Sequence, residues 1–314
     1  MEKLGASIDI GTHTARLLVA RAGGSPLCVS DIERSRCYIR LGEGWDTASK
    51  GILCSDAIDR TLKAIESFQA IISKYSLDYV KAVATGVVRE ALNRDQFLET
   101  VFEKTGIIIQ ILNGEEEALL SAKGVTNALG LTEGPILIFD LGGGSTEFFV
   151  RSGEQIALKS IPVGAMRLTR QFLHLDPPDP SEIDSLVEYV DGCFFNLIKD
   201  LNINEPNISI AGTGGTVVSL ACMNEGLTGE YLTPKKINGV KIKKNKINEI
   251  LNYLGSIKFE KRCNVACLDP AKAGVILAGL LVVSRLLHLL DKQSMTACMS
   301  DILEGLIIEL YGGK

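Results

Sequence analysis

Residues 136–150 read ILIFDLGGGSTEFFV, with Asp140 closing one apolar run, Gly142, Gly143 and Gly144 behind it, and Ser145, Thr146 and Glu147 leading into a second run. Three adjacent glycines lose more chain entropy on folding than an ordinary turn requires. The loss makes sense where a backbone must approach a ligand closely, because bare N–H groups in such a turn form an anion-binding concavity. Asp140 and Glu147 flank it with oxygen donors of the kind a hard cation prefers, and Mg2+ is the cation that joins carboxylates to phosphate oxygens. The pattern therefore supports Mg2+–phosphate chemistry, with Mn2+ as the alternative ion. The plain alternative is a glycine hairpin bearing two surface carboxylates.

The same arrangement occurs earlier. Asp9 lies near the end of an apolar run, followed by Gly11, Thr12, His13 and Thr14, with Arg16 in the next apolar run; Asp9 and Asp140 stand 131 residues apart. This reads as a diverged internal repeat, two like domains each presenting one phosphate turn. A third turn, Gly212, Thr213, Gly214 and Gly215, joins the strand at 208–211 to a helix opening at Val217. A glycine turn on a helix N-terminus is a ready anion or nucleotide site; a tight connection is the alternative. Finally, Glu115, Glu116 and Glu117 open a helix reaching about residue 129. Acidic residues in a first turn complement the helix dipole, which accounts for Glu115 and Glu116. Glu117 sits deeper, next to the apolar residues of the helix.

The elements that must hold these residues follow from periodicity. Apolar runs around the turns predict paired strands, continued by residues 28–40 in the first domain and 154–162 in the second. Apolar spacing predicts a helix over 55–74 with Ser55 as its N-cap, then a strand over 79–84, helices over 87–91 and 94–104, and a strand over 107–112. Residues 41–46 form a glycine-spaced loop with the single tryptophan, and 130–135 is the expected linker. Helices are expected from 163 and over 181–201, 246–254, 270–290 and 300–310, with a proline-rich loop over 176–180. Residues 234–246 hold six lysines, at 235, 236, 241, 243, 244 and 246. Asn238 and Gly239 mark a hairpin turn within them. A lysine-rich loop of this kind is either simply solvated or a landing strip that raises the on-rate of a polyanion.

The chain has 314 residues, 46% hydrophobic and 23% charged, with a net charge of −5. That length suits two domains of about 100–200 residues each, and the charge argues against a DNA partner. No basic segment followed by an apolar one opens the chain, so no signal peptide is expected. The longest apolar segment, 274–290, is interrupted by Arg285 and His288 and falls short of the roughly 20 residues of a spanning helix; it reads as buried, not as a membrane span. Eight cysteines without a CxxC pair read as small hydrophobes in a reducing cytoplasm. Three histidines, at 13, 174 and 288, leave little material for a zinc enzyme or a Ser–His–Asp triad.

Taken in this order, the three glycine loops resemble the phosphate and nucleotide loops of the actin/hexokinase/heat-shock ATPase superfamily. Within it the chain is similar, almost end to end, to the exopolyphosphatase and guanosine pentaphosphate phosphatase (Ppx/GppA) family, short two-domain type. The segments that carry the resemblance are 7–16, RLGEGWD (40–46), 84–91 with Asn93 and Arg94, GEEEA (114–118), 139–147, PVGAMRLT (162–169) and 211–216. GEEEA discriminates, because kinases of the superfamily lack it at this point. The resemblance implies an α/β fold of two ribonuclease-H-like, actin-like ATPase domains with a central cleft, the first over 1–130 with a C-terminal helix at 300–314 returning to it, the second over 131–299. It implies Mg2+-dependent hydrolysis of the terminal phosphoanhydride of inorganic polyphosphate, and also of guanosine pentaphosphate. Glu117 corresponds to the catalytic glutamate, and Asp140 and Glu147 to metal carboxylates. Gly11–Thr14 and Gly142–Thr146, with the 212–215 turn, bind phosphate. Arg16 and Arg89 neutralise phosphate oxygens, an ordinary salt bridge being the alternative for each. A homodimer is a further implication. The chain departs from the family pattern at His13, where Asn is usual; at Asn238, where His is frequent; at Lys272, where Arg is frequent; and at 302–305, which lacks an arginine. All four alter charge around a polyanion. The rival functions are a kinase or ATPase of the same superfamily and a non-catalytic polyphosphate or alarmone sensor.

Overall fold

Apolar runs on either side of a glycine turn form an antiparallel hairpin in each of two separate sheets. The computed structural model describes residues 2–43, 51–203, 205–228 and 232–312; Gly44, Trp45 and Asp46 of the predicted glycine-spaced loop lie outside the described residues. The chain divides into two units, one running to Asn127 and resuming at Ile302, the other spanning Ala128–Asp301.

The first unit contains β1 (Lys3–Ile10), β2 (Thr14–Gly23), β3 (Cys28–Tyr38), α1 (Ser55–Ile72), β4 (Tyr79–Ala84), α2 (Val87–Glu90), α3 (Arg94–Thr105), β5 (Ile109–Ile111) and α4 (Gly114–Leu129). Its sheet has the order β3-β2-β1-β4-β5, with β1 antiparallel to β2 and parallel to β4. The last six residues of β1 are all buried, the mark of a strand covered on both faces. Leu62, Ile65 and Phe68 line the buried stripe of α1 at helical spacing. The N-cap of α1 is Cys54 rather than the expected Ser55, and it makes no side-chain capping bond. Gly106, left-handed at φ 67°, ends α3. The chain's last helix, Ile302–Gly312, buries Leu303, Leu306 and Ile307 against Leu18, Val83 and Leu120.

The second unit contains β6 (Ile136–Leu141), β7 (Thr146–Ser152), β8 (Gln155–Ile161), α5 (Ala165–Phe172), α6 (Pro180–Asp200), β9 (Ser209–Thr213), α7 (Gly215–Glu225), α8 (Pro234–Ile237), β10 (Val240–Lys243), α9 (Lys244–Gly255), α10 (Phe259–Arg262), α11 (Ile276–Leu289) and β11 (Ser294–Ala297). Its sheet order is β10-β11-β9-β6-β7-β8. The five strands β8-β7-β6-β9-β11 repeat the order of β3-β2-β1-β4-β5, and β10 is an antiparallel addition at the edge. Phe139, Phe148 and Phe194 are fully buried at the centre of this unit, each contributing about 1.5–3 kcal/mol of hydrophobic stabilisation. A capping box between Asp179 and Glu182 starts α6, satisfying two backbone donors reciprocally.

Several local expectations change. Residues 234–246 are not a loop but α8, β10 and the start of α9, and the Asn238–Gly239 turn leads into a strand whose partner is β11 rather than a preceding strand. The helix expected over 270–290 is a 3-10 turn at Pro270–Lys272 followed by α11. β9 extends through Thr213, and α7 begins at Gly215 instead of Val217. Among the described residues no helix is long and apolar enough to cross a membrane.

Candidate phosphate and metal site

Asp140 and Glu147 are register partners on β6 and β7. Residues so opposed share a face of the sheet with Cα atoms about 4.5–5.5 Å apart. Glu147 is 2% exposed, and its Oε1 accepts the hydroxyl of Ser160, its register partner on β8, at 2.8 Å. Like charges directly opposite one another destabilise a sheet, and two such carboxylates are oxygen donors of the kind a hard cation takes. The first hairpin repeats the geometry with the opposite sign. There Asp9 faces Arg16, whose Nη2 and Nε donate to Asp9 Oδ2 at 2.6 and 3.0 Å. The turns between match as well: the Gly11 N–H donates to the Thr14 carbonyl at 2.9 Å, and the Gly142 N–H to the Ser145 carbonyl at 3.0 Å.

Both turns have their carbonyls occupied from behind. Gly142 accepts the N–H of Ala165 at 3.0 Å, and Gly143 accepts those of Met166 at 2.9 Å and Arg167 at 3.0 Å. The Arg167 Nε donates to the Gly144 carbonyl at 2.9 Å. First-turn N–H groups have no partner within their own helix, so α5 satisfies its N-terminus by holding the glycine turn. The N–H groups of Gly143, Gly144 and Ser145 donate to no acceptor among the described residues, which leaves them for an anion. In the first hairpin the Thr12 carbonyl accepts the Gly42 N–H at 2.9 Å, and the His13 carbonyl accepts those of Ile39 and Arg40 at 3.1 and 3.0 Å. The Val87 N–H reaches the Thr12 hydroxyl at 3.4 Å, and the His13 ring meets Tyr38 edge-on at 5.4 Å.

The third turn adjoins Asp140. Thr213 is the register partner of Asp140 on β9; it is fully buried, and its hydroxyl has no hydrogen-bond partner. Gly214 has φ +96°, and a Cβ there would stand 2.4 Å from the Leu141 carbonyl oxygen and 3.0 Å from Asp140 Oδ1, so only glycine fits. Lys272 Nζ donates to the Gly215 carbonyl at 2.9 Å. The donors around Asp140 are thus two carboxylates and an unsatisfied hydroxyl. That set suits Mg2+, which binds oxygen, uses one or two carboxylates and completes its shell with water and phosphate. Among the described residues no group of three or more His, Cys, Asp or Glu forms a metal cluster, which sets this site apart from the multi-ligand cages of structural zinc.

Glu117 is held differently from its neighbours. Asn113 Oδ1 accepts the N–H groups of Glu115 and Glu116 at 3.0 and 2.9 Å, and Glu116 Oε2 accepts the Asn113 N–H at 2.8 Å. Asn113 is therefore the N-cap of α4, and Glu116 closes the capping box. Glu117, its side chain 13% exposed, accepts from Arg89 Nη1 at 3.2 Å, and the same nitrogen donates to the Leu112 carbonyl at 3.1 Å. The first unit accordingly gathers Gly11, Thr12, His13, Thr14 and Arg16 on one hairpin and pairs Arg89 with Glu117. The second gathers Asp140, Gly142–Thr146, Glu147 and the 212–215 turn. Sequence reasoning quoted Gly164 and Arg167 only as part of PVGAMRLT and Lys272 only as a departure; their supporting contacts to the turns come from the fold.

A model of the Ppx/GppA phosphatase family matches residues 18–312. The chain is 29% identical over 318 residues to exopolyphosphatase 2 of Mycobacterium tuberculosis, covering 98% of each. It is 30% identical over 313 residues to the bifunctional 3-dehydroquinate synthase/phosphatase of Fusobacterium nucleatum, where it spans 98% of its own length and 46% of that relative. The crystal structure of the Aquifex aeolicus member of the Ppx/GppA protein family matches at TM-score 0.82 and 27% identity over 100% of both chains. The expected class, α/β with two ribonuclease-H-like domains of the actin-like type, is the fold of this chain.

Proposed function

The chain belongs to the Ppx/GppA phosphatase family, and on that premise we propose that it hydrolyses the terminal phosphoanhydride of inorganic polyphosphate in a Mg2+-dependent reaction, with guanosine pentaphosphate as a second substrate. The observation that carries the proposal is the opposed pair Asp140 and Glu147 beside a glycine turn whose carbonyls are already occupied. Such a turn presents N–H donors to a phosphate, and such a pair holds a cation. Relatives named exopolyphosphatase supply the substrate class.

In this reading Asp140 and Glu147 hold Mg2+, which when bound neutralises charge on the phosphate oxygens. Gly143, Gly144, Ser145 and the 11–14 turn donate hydrogen bonds to the phosphates, and the 212–215 turn adds a helix N-terminus. Glu117 orients the attacking water and takes its proton, while Arg89 keeps the carboxylate in place through its bonds to Glu117 and the Leu112 carbonyl. A positioned general base contributes about 10²–10⁴-fold. Glu117→Gln is therefore expected to lower kcat on polyphosphate by that factor while leaving KM nearly unchanged. Phosphate release by wild type and variant, measured with Mg2+ and with Mn2+, tests this; equal rates would remove Glu117 from the chemistry. The eight cysteines are all free thiols, in keeping with a cytoplasmic setting.

A further inference from the structure

β10 is the one strand of the second sheet without a counterpart in the first, and it is where the lysines lie. Residues 235–246 contain six lysines and no Asp or Glu, in a chain of net charge −5. Lys235, Lys236, Lys241 and Lys243 are exposed. Lys241 and Lys243 project from one face of β10, with Ile242 fully buried between them. Their register partners on β11 are Thr296 and Ser294, so no carboxylate stands opposite either ammonium. Lys246 is engaged by Glu249 at 3.2 Å, and Lys244 Nζ lies 3.3 Å from His288 Nδ1. Lys235, Lys241 and Lys243 form no ion pair among the described residues.

This edge is tied to the phosphate end of the sheet. The Gly239 N–H donates to the Ala297 carbonyl at 3.0 Å, and the Cys298 N–H to the Gly212 carbonyl at 2.9 Å. Asn238 accepts the Met299 N–H at 2.6 Å and donates to the Ser300 hydroxyl at 3.0 Å. The start of β10 is thereby fastened, through the end of β11, to Gly212 near the end of β9, where the third glycine turn begins. Three strand spacings, about 14 Å, separate β10 from β6 and its Asp140. Lysine on an edge strand also discourages edge-to-edge pairing, but that role needs only the strand. Here the positive charge begins in α8, before the strand, with Lys235 and Lys236 both exposed.

We propose that the α8–β10 edge anchors the distal part of a long inorganic polyphosphate chain, away from the phosphoryl group being removed. This rests on the exopolyphosphatase reading. Alternate lysines on one strand face stand about 6.6–7 Å apart, and an ammonium on a flexible stem neutralises a chain of phosphates as a point charge. A positive edge raises local substrate concentration and on-rate in a salt-dependent way.

The test is the variant Lys241→Gln/Lys243→Gln, assayed on polyphosphate of about a hundred residues and on tripolyphosphate. KM for the long chain is expected to rise about tenfold at low salt, with the difference vanishing at high salt; kcat and the tripolyphosphate parameters stay unchanged. A KM shift equal for both lengths, or none for either, overturns the proposal. Binding of end-labelled long-chain polyphosphate, followed by fluorescence anisotropy, separates this from the enzyme reading. If no substrate is turned over, the catalytic reading fails, yet tighter binding by wild type than by the variant still upholds the anchor; equal binding overturns it. Single-stranded RNA displacing the labelled chain as well as unlabelled polyphosphate does would also overturn it. Lys241→Arg/Lys243→Arg restores the long-chain KM.

Discussion

Glu115, Glu116 and Glu117 are consecutive in sequence and diverge in role because successive residues turn about 100° around a helix. Glu116 reaches back to cap the Asn113 N–H, whereas Glu117 turns to Arg89. The triplet shows in the sequence; the division of labour depends on Arg89, 28 residues away. Cys222 gives a residue-scale prediction of another kind. Burial pushes its thiol up to about 11 from the ordinary 9.0, against the opposing pull of the Lys272 ammonium. The folded chain therefore keeps a proton that the unfolded chain releases at lower pH. The stability this group contributes is complete below 9.0 and is lost as pH rises toward about 11, at a slope of up to about 1.4 kcal/mol per pH unit. Urea unfolding of wild type and Cys222→Ala between pH 8 and 11 checks this. The variant's stability should fall less steeply across that window, and parallel curves would contradict the shift. Tyrosines that titrate in the same range are common to both proteins and cancel in the comparison.

At the scale of elements, the decisive contact is α5 against the triple-glycine turn. Gly164, the N-cap of α5, has φ −123°, a conformation any residue adopts, so its constraint is steric. A Cβ there would lie 2.3 Å from the Gly144 carbonyl carbon and 2.5 Å from the Gly143 carbonyl. Gly164→Ala is expected to push the turn outward, destabilise the fold by about 1–3 kcal/mol and weaken phosphate binding. Gly192 inside α6 has nothing within 4 Å of its would-be Cβ, so Gly192→Ala should stabilise by about 0.5–1 kcal/mol. Thermal unfolding of both variants tests the contrast; equal effects would mean that the turn relaxes freely. Elements built from local pattern were legible in advance. The strand over 79–84 has those bounds as β4, and the apolar runs around Asp9 and Asp140 are β1 and β6. Elements decided by distant partners were not. β11, read SMTA, has four residues and no apolar run; it is a strand because β9 and β10 bond to it from either side. The break ahead of α11 was hidden for a similar reason. Its apolar sequence continues through 273–276, while the chain leaves the helix so that Lys272 can reach the Gly215 carbonyl.

At the scale of the whole molecule, one hairpin has been used twice with its charge inverted. The distance of 131 residues holds for the Asp9 and Asp140 pair, for Gly11 and Gly142, and for Arg16 and Glu147. The backbone bond across the turn is the same in both copies. In the first copy the aspartate is neutralised by protein, through two bonds from Arg16. In the second it faces another carboxylate, and the two together offer the oxygen donors a hard cation takes. The sequence displayed the repeat; the inversion acquires its meaning only when the register makes residues seven apart direct neighbours. Metal dependence should therefore belong to the second unit alone. Without divalent ions, Asp140→Asn relieves the repulsion between opposed carboxylates and is expected to raise Tm slightly. With Mg2+ or Mn2+ at a hundred times its dissociation constant, a native-state site adds about 2.7 kcal/mol. Wild type should show the corresponding rise in Tm, and Asp140→Asn and Glu147→Gln should lose it. Arg16→Gln should lower Tm in both conditions, because Asp9 is 5% exposed and would lose its ion partner, yet keep the full metal-induced increment. A variant of Arg16 that abolished that increment, or an Asp140→Asn protein that retained it, would show that the two hairpins do not divide the work in this way.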